Sequence, residues 1–184
     1  MGRQTTTSLP QGVCCRRTLQ GVFAGFLLAI GFSGTVVQAA SWTGEVSHVS
    51  DGDTVWVRRA RQHEAHPVRM EGIDAPEICQ SFGPQARAAL SAYVLGRRVH
   101  VTVHAHDSYG RALGRVTLDG VDVGLWMVQQ GYAWSYQYRR SKGPYARAEA
   151  QARQMGLGLF AEADPMPPRE FRRSYGSCHA ASRP

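Results

Sequence analysis

Beyond residue 39, the apolar positions fall into short alternating runs separated by polar turns. Trp42–Val49 and Thr54–Arg58 are rich in β-formers and flank the turn dipeptide Asp51-Gly52, which predicts a hairpin. Residues 59–66 are polar and predict a loop. Pro67–Gly72 alternates, with Val68 and Met70 on one face and Arg69 and Glu71 on the other, and predicts a third strand. Val99–Val103 and Ala112–Leu118 predict two more, joined through a turn at Asp107–Gly110.

Helical spacing appears in three places. In Gly83–Leu95, Ala86, Leu90 and Val94 recur on one face, and Pro84 suits a first turn. Val123–Gln130 predicts a second helix with Leu125, Trp126 and Val128 in the core; Trp134 is also assigned to packing. Tyr145–Met155 predicts a third, with Ala146, Ala150 and Met155 inward and Gly156 ending it. Five strands and about three helices give an α+β class. A small closed barrel is expected, because closure removes exposed sheet edges. The domain is expected over 40–171, followed by a flexible C-terminal tail over 172–184 that is Gly-, Ser- and Ala-rich at its end.

The first 39 residues read as an export signal. Arg3, Arg16 and Arg17 precede an apolar stretch from Gly21 to Val37, and small residues at Val37-Gln38-Ala39 suit cleavage after Ala39. This predicts a periplasmic or secreted protein; the alternative is an uncleaved membrane anchor. Arg16-Arg17 leaves twin-arginine export open. Cys14 and Cys15 would be lost on cleavage. Cys79 and Cys178 would remain, either as a disulfide tying the tail to the loop after Glu77 or as two unpaired thiols. No Cys/His spacing suggests zinc, and His63, His66, His100, His104 and His179 are expected at the surface.

The 184-residue chain carries a net charge of +7, and its cations are almost all arginine, with Lys142 the single lysine. Guanidinium pairs bidentately with phosphate, so this balance favours polyanions.

Three short runs concentrate the chemistry: Asp51-Gly52-Asp53-Thr54, Arg69 to Glu77, and Asp107-Ser108-Tyr109-Gly110-Arg111. Carboxylates at Asp53 and Asp74 suit a hard divalent cation such as Ca²⁺. Glu77, close to Asp74, can handle a proton. Arg69 and Arg111 can fork onto phosphate oxygens. Together they form a kit for attack of water on a phosphodiester.

Asp51-Gly52-Asp53-Thr54, Arg69, Ile73-Asp74-Ala75-Pro76-Glu77, Gly83-Pro84-Gln85-Ala86 and Tyr109-Gly110-Arg111, in this order and spacing, resemble the staphylococcal nuclease-like (thermonuclease) family. The resemblance covers roughly residues 41–160. It implies an OB-fold five-stranded barrel and one Ca²⁺ held by Asp53, Asp74 and the Ala75 backbone carbonyl, with Asp51 in the outer shell. It implies Glu77 as the residue that orders or deprotonates water, and Arg69 and Arg111 as the clamp on the scissile phosphate. Tyr109, and Tyr136 or Tyr138 or both, are implied as nucleotide contacts. DNA and RNA are the implied substrates, cut with little sequence preference to leave 3′-phosphates. The family's best-known member has threonine where this chain has Ala75, and a longer, basic loop between the positions of Glu77 and Gly83.

A monomer is the default for so small a barrel. A non-catalytic OB-fold module that binds nucleic acid is the alternative, since such folds hold single strands in grooves without cutting them. A third reading tethers the same domain to a membrane through an uncleaved N-terminus.

Overall fold

Val46, Val55, Val57, Val68 and Met70 are each at most 2% exposed and face one another across three successive strands, β1 (Ala40–Val49), β2 (Thr54–Arg59) and β3 (Ala65–Met70). The computed structural model describes residues 40–139 and 141–178. Residues 1–39, on which the expected export signal, its cleavage after Ala39, Cys14 and Cys15 fall, lie outside them, as do His179 and the end of the tail.

The remaining strands are β4 (Ile73–Asp74), β5 (Arg98–His106), β6 (Ala112–Leu118), β7 (Val121–Asp122) and β8 (Trp134–Ser135). The large sheet runs β3-β2-β1-β5-β6-β7, and β3 also pairs with β6 in parallel, Val68 opposite Ala112 and Met70 opposite Gly114. That last pairing closes the five long strands into a barrel, as the strand pattern predicts, and leaves none of them with a free edge. Register shifts in β1 between Val46 and His48, and in β5 between Val103 and Ala105, mark the bends that closure needs.

α1 (Gly83–Val94) buries Ala86, Leu90 and Val94 completely against the barrel, on the face its spacing predicts. α2 (Val123–Gln129) starts at Asp122, whose carboxylate accepts the Leu125 backbone N–H at 3.1 Å. Val123, Met127 and Val128 are fully buried, Val128 as expected. Leu125 and Trp126 are only half-buried, and Trp126 stacks on Tyr93 at 4.2 Å between ring centres. Trp134 is buried, as expected.

Two expectations need correction. α3 (Ala146–Gln154) turns Ala148, Glu149 and Ala152 inward, whereas Ala150 and Met155 are exposed and Ala146 is half-buried. The face is set by a buried carboxylate that apolar periodicity cannot register: Glu149 Oε2 accepts the Ser135 backbone N–H at 2.8 Å. There is also a fourth helix, α4 (Pro168–Tyr175). Proline in its first turn, Glu170 near its start and Arg172 and Arg173 in its last turn favour it locally. The expected domain–tail boundary between residues 171 and 172 falls inside it. A disulfide joins Cys79 to Cys178 just beyond α4, with Cα atoms 5.9 Å apart, which resolves the choice between a bond and two free thiols. No helix among the described residues is long and apolar enough to cross a membrane.

Because β3 lies between β2 and β6, the start of β2, the end of β3 and the start of β6 share one end of the barrel. Thr54 pairs with Arg69, and Arg69 with Leu113. The three chemical motifs meet there.

Candidate active site

The β1–β2 turn is fixed locally: Asp51 Oδ1 accepts the Asp53 backbone N–H at 3.0 Å, the bond that makes aspartate a turn former. Gly52 lets that turn lie flat on its neighbours. A Cβ at this position would stand 2.7 Å from the Ala75 Cβ and 3.0 Å from the Ala86 Cβ. The Asp53 side chain, 3% exposed, accepts from the Thr54 hydroxyl at 2.9 Å and from the Ala75 backbone N–H at 3.3 Å. Asp53 is thereby held against the 74–75 segment. Its own carbonyl accepts the Met70 N–H at 2.8 Å.

Arg69 leaves β3 on the face opposite Met70. Its Nη2 reaches Asp53 Oδ2 at 3.0 Å and Asp74 Oδ1 at 3.2 Å. Asp74 is held by the short pairing of β4 with β8, which sets it opposite Trp134. Burial pushes the Asp74 carboxyl up from its ordinary range, while its hydrogen bonds to Arg172 pull the other way. Burial first, and then the charge of Asp53, push Asp51 up to about 7. The charge of Asp53 in turn raises Arg69. The cluster holds more carboxylates than guanidiniums can balance, the situation a bound cation relieves.

The donor set fits a hard cation. Asp53 and Asp74 supply carboxylate oxygens from two adjoining segments, which the Ala75 backbone N–H ties together by donating to Asp53 Oδ2 at 3.3 Å. Among the described residues, no three His, Cys, Asp or Glu side chains converge to hold a metal by themselves. Two carboxylates completed by a carbonyl, water and phosphate oxygen is the pattern Ca²⁺ accepts and a softer metal does not.

Glu77 follows on the segment into α1. The loop after it folds back tightly: Gln80 N–H donates to the Glu77 carbonyl at 2.9 Å, and a side chain at Gly83 would collide with that same carbonyl. This is the steric reason for glycine at the head of the Gly83-Pro84-Gln85-Ala86 run. Across the site, Arg111 is aimed by Asp107, whose Oδ2 accepts from Arg111 Nε at 2.7 Å. Asp51, Arg69, Glu77, Tyr109, Arg111, Tyr136 and Arg172 line one cavity of about 840 Å³, with the Asp53–Asp74 pair reached through Arg69. Tyr109 is 82% exposed and Tyr136 43%, both at its rim. Tyr138 does not line it; that ring is 61% exposed and carries Arg139 over its face at 5.2 Å.

A model of the family described as "Staphylococcal nuclease homologue" matches residues 67–162. The chain belongs to that family. Among its relatives, an uncharacterized endonuclease of Escherichia coli O157:H7 is 38% identical over 133 residues, which is 72% of this chain and 86% of the relative. A micrococcal nuclease of Shigella flexneri is 34% identical over 167 residues, 85% of this chain and 92% of the relative. Protein ParB of Escherichia coli is 36% identical over 152 residues, 75% of this chain and 85% of the relative. As a staphylococcal nuclease homologue, the protein is a nuclease, a hydrolase of phosphodiester bonds.

Two residues of this candidate site have no role among the expectations from sequence. Asp107 stands inside the motif whose tyrosine and arginine carry the expected roles; its place in a turn, four residues before Arg111, is the available signal. Arg172 comes from α4, 98 residues from Asp74, and its guanidinium grips both Asp74 oxygens, at 3.0 Å to Oδ2 and 3.2 Å to Oδ1, while Nη1 donates to Glu77 Oε1 at 2.8 Å. Only the Cys79–Cys178 pair pointed to it, by carrying the tail toward Glu77.

Proposed function

We propose that the protein is an exported, Ca²⁺-dependent nuclease that cuts DNA and RNA with little sequence preference. The observation that carries this reading is Arg69 lying between the buried Asp53 and Asp74 carboxylates, at 3.0 and 3.2 Å, on the wall of a cavity shared with Glu77 and Arg111.

Asp53, Asp74 and the Ala75 carbonyl would hold the ion, and Asp51 would tune it from the outer shell. A cation bound there would supply charge to offset the phosphate and a means of ordering a water for attack. Glu77 accepts a proton from that water as its oxygen bonds to phosphorus, a role worth on the order of 10²–10⁴-fold. Arg69 and Arg111 hold the phosphate oxygens as charge gathers on them; loss of one such donor typically costs ~10²-fold or more. The bond from phosphorus to the 5′ oxygen breaks, and the 5′ oxygen takes a proton from solvent as it leaves. The products are a 3′-phosphate and a 5′-hydroxyl. Tyr109 and Tyr136, at the cavity rim, offer faces for flanking bases. The interaction is expected to follow phosphate, which carries no sequence information.

Export rests on the N-terminal pattern of Arg3, Arg16 and Arg17, the apolar run and Ala39. A monomer is the expected working form. The test is release of acid-soluble nucleotides from DNA and RNA by residues 40–184, with Ca²⁺ and then with EGTA, beside Glu77→Gln and Arg111→Ala. Cleavage that requires Ca²⁺ and is lost in both variants is expected. Cleavage indifferent to chelation would remove the cation from the mechanism, and a folded protein that binds nucleic acid but never cuts it would favour the binding module instead.

A further inference from the structure

α4 is short and buries only Pro168, yet it is fastened at both ends. Before it, the Met166 carbonyl accepts from Gln80 Nε2 at 2.6 Å. After it, Cys178 is bonded to Cys79, two residues from Glu77. Between these anchors Arg172 enters the cavity that holds Arg69, Glu77 and Arg111, with its side chain 27% exposed. The guanidinium spends its donors on Asp74 and Glu77. Burial works against its charge, and those two carboxylates more than compensate, raising Arg172 above its ordinary range.

We propose that Arg172 is a third phosphate-binding residue of the site, parked on Asp74 and Glu77 until cation and phosphodiester enter. The inference rests on Asp53 and Asp74 being the cation ligands. Arg172 donates to both oxygens of Asp74, and among the described residues Oδ2 has no other side-chain donor than Arg172, so a cation drawing on Asp74 competes with the guanidinium for it. Arg172 then has unpaired donors inside a partly buried cavity, an expensive state. Its tether prevents a long retreat. A phosphate drawn to a cation held by Asp53 and Asp74 would be the nearest acceptor, and the planar fork of arginine suits it. Arg172 therefore opposes the cation in the empty site and favours the nucleotide in the filled one. By linkage, it makes each ligand strengthen the binding of the other.

The experiment is calorimetry on disulfide-intact residues 40–184, wild type, Arg172→Ala and Arg172→Lys, using Ca²⁺ alone and then thymidine 3′-phosphate at saturating Ca²⁺. Arg172→Ala is expected to bind Ca²⁺ alone more tightly and the nucleotide more weakly, each by about tenfold, the scale of one charge-assisted hydrogen bond. Arg172→Lys, which keeps the charge but not the fork, is expected to fall between. Thermal unfolding of each variant checks that the barrel is intact. Opposite shifts in two affinities are not what general loosening produces. If the nucleotide binds Arg172→Ala as tightly as wild type, or more tightly, the residue is only a plug and the phosphate role is overturned. If neither affinity moves, both parts of the inference fail. Wild-type protein that binds no Ca²⁺ would instead overturn the underlying cation site.

Discussion

Asp107 holds Arg111 by side chain and backbone: Oδ2 accepts from Arg111 Nε at 2.7 Å, while Oδ1 accepts the backbone N–H groups of both Arg111 and Tyr109 at 2.9 Å. A single carboxylate thus shapes the β5–β6 turn and aims the guanidinium at its tip. Burial pushes the Asp107 carboxyl up, but the Arg111 side chain and the two backbone donors outweigh it and hold the group below its ordinary value.

Replacing Asp107 with asparagine should lower kcat by roughly tenfold or more, since a misaimed donor loses much of what its removal would cost. The barrel should stay folded, because the turn lies outside the core. The pH dependence has a definite sign. A carboxyl depressed in the folded state adds stability above its unfolded pKa, and that contribution is lost as pH falls through the folded pKa. The stability difference between wild type and Asp107→Asn should therefore be full at neutral pH and shrink below about pH 4. Denaturant unfolding at several pH values measures it; a difference that grows in acid would contradict the assignment.

Glu149 supports the site from below. It accepts the Ser135 N–H at 2.8 Å and pairs with Arg153 at 2.9 Å. Ser135 and Trp134 form the strand that pairs with Ile73 and Asp74. Glu149→Ala leaves a buried N–H without an acceptor and should cost about 1–3 kcal/mol. Glu149→Gln keeps an acceptor for Ser135 and should cost less. If the two variants prove equally unstable by thermal unfolding, the bond to Ser135 is not what Glu149 contributes.

The barrel strands were readable because each alternates one buried and one exposed face, and α1 because Ala86, Leu90 and Val94 recur at helical spacing. The same logic misassigned α3, where a carboxylate occupies the inward face, and it left α4 within the expected tail. Pro168, Phe171 and Tyr175 do share one face at helical spacing, but a stripe of three in an eight-residue helix that buries little beyond Pro168 is a short signal. Its position depends on a covalent bond between residues 99 apart and on ion pairs to Asp74 and Glu77. The nearer partners were legible for a related reason. Asp51, Asp53, Arg69, Asp74 and Glu77 lie in motifs whose glycines record close contacts: Gly52 against Ala75 and Ala86, and Gly83 against the Glu77 carbonyl. Arg172 lies in no such motif.

The disulfide makes a prediction that separates local from global stability. Cross-linking about 100 residues is worth ~4.7 kcal/mol by chain entropy if the whole unfolded chain is the reference. α4 need not wait for the barrel to unfold, since its detachment exposes little apolar surface. Reducing the Cys79–Cys178 bond should therefore first release α4. Hydrogen exchange should report it: the Phe171 and Gly176 amides, which bond to the Pro167 and Arg172 carbonyls, should exchange much faster after reduction, while the Val57 and Val101 amides change far less. Cys178→Ser should reproduce the pattern without reductant. Unchanged protection of α4 would mean that the ion pairs of Arg172 and the Gln80–Met166 bond hold the helix unaided. Uniform acceleration across the barrel would mean that α4 and the barrel unfold as one unit.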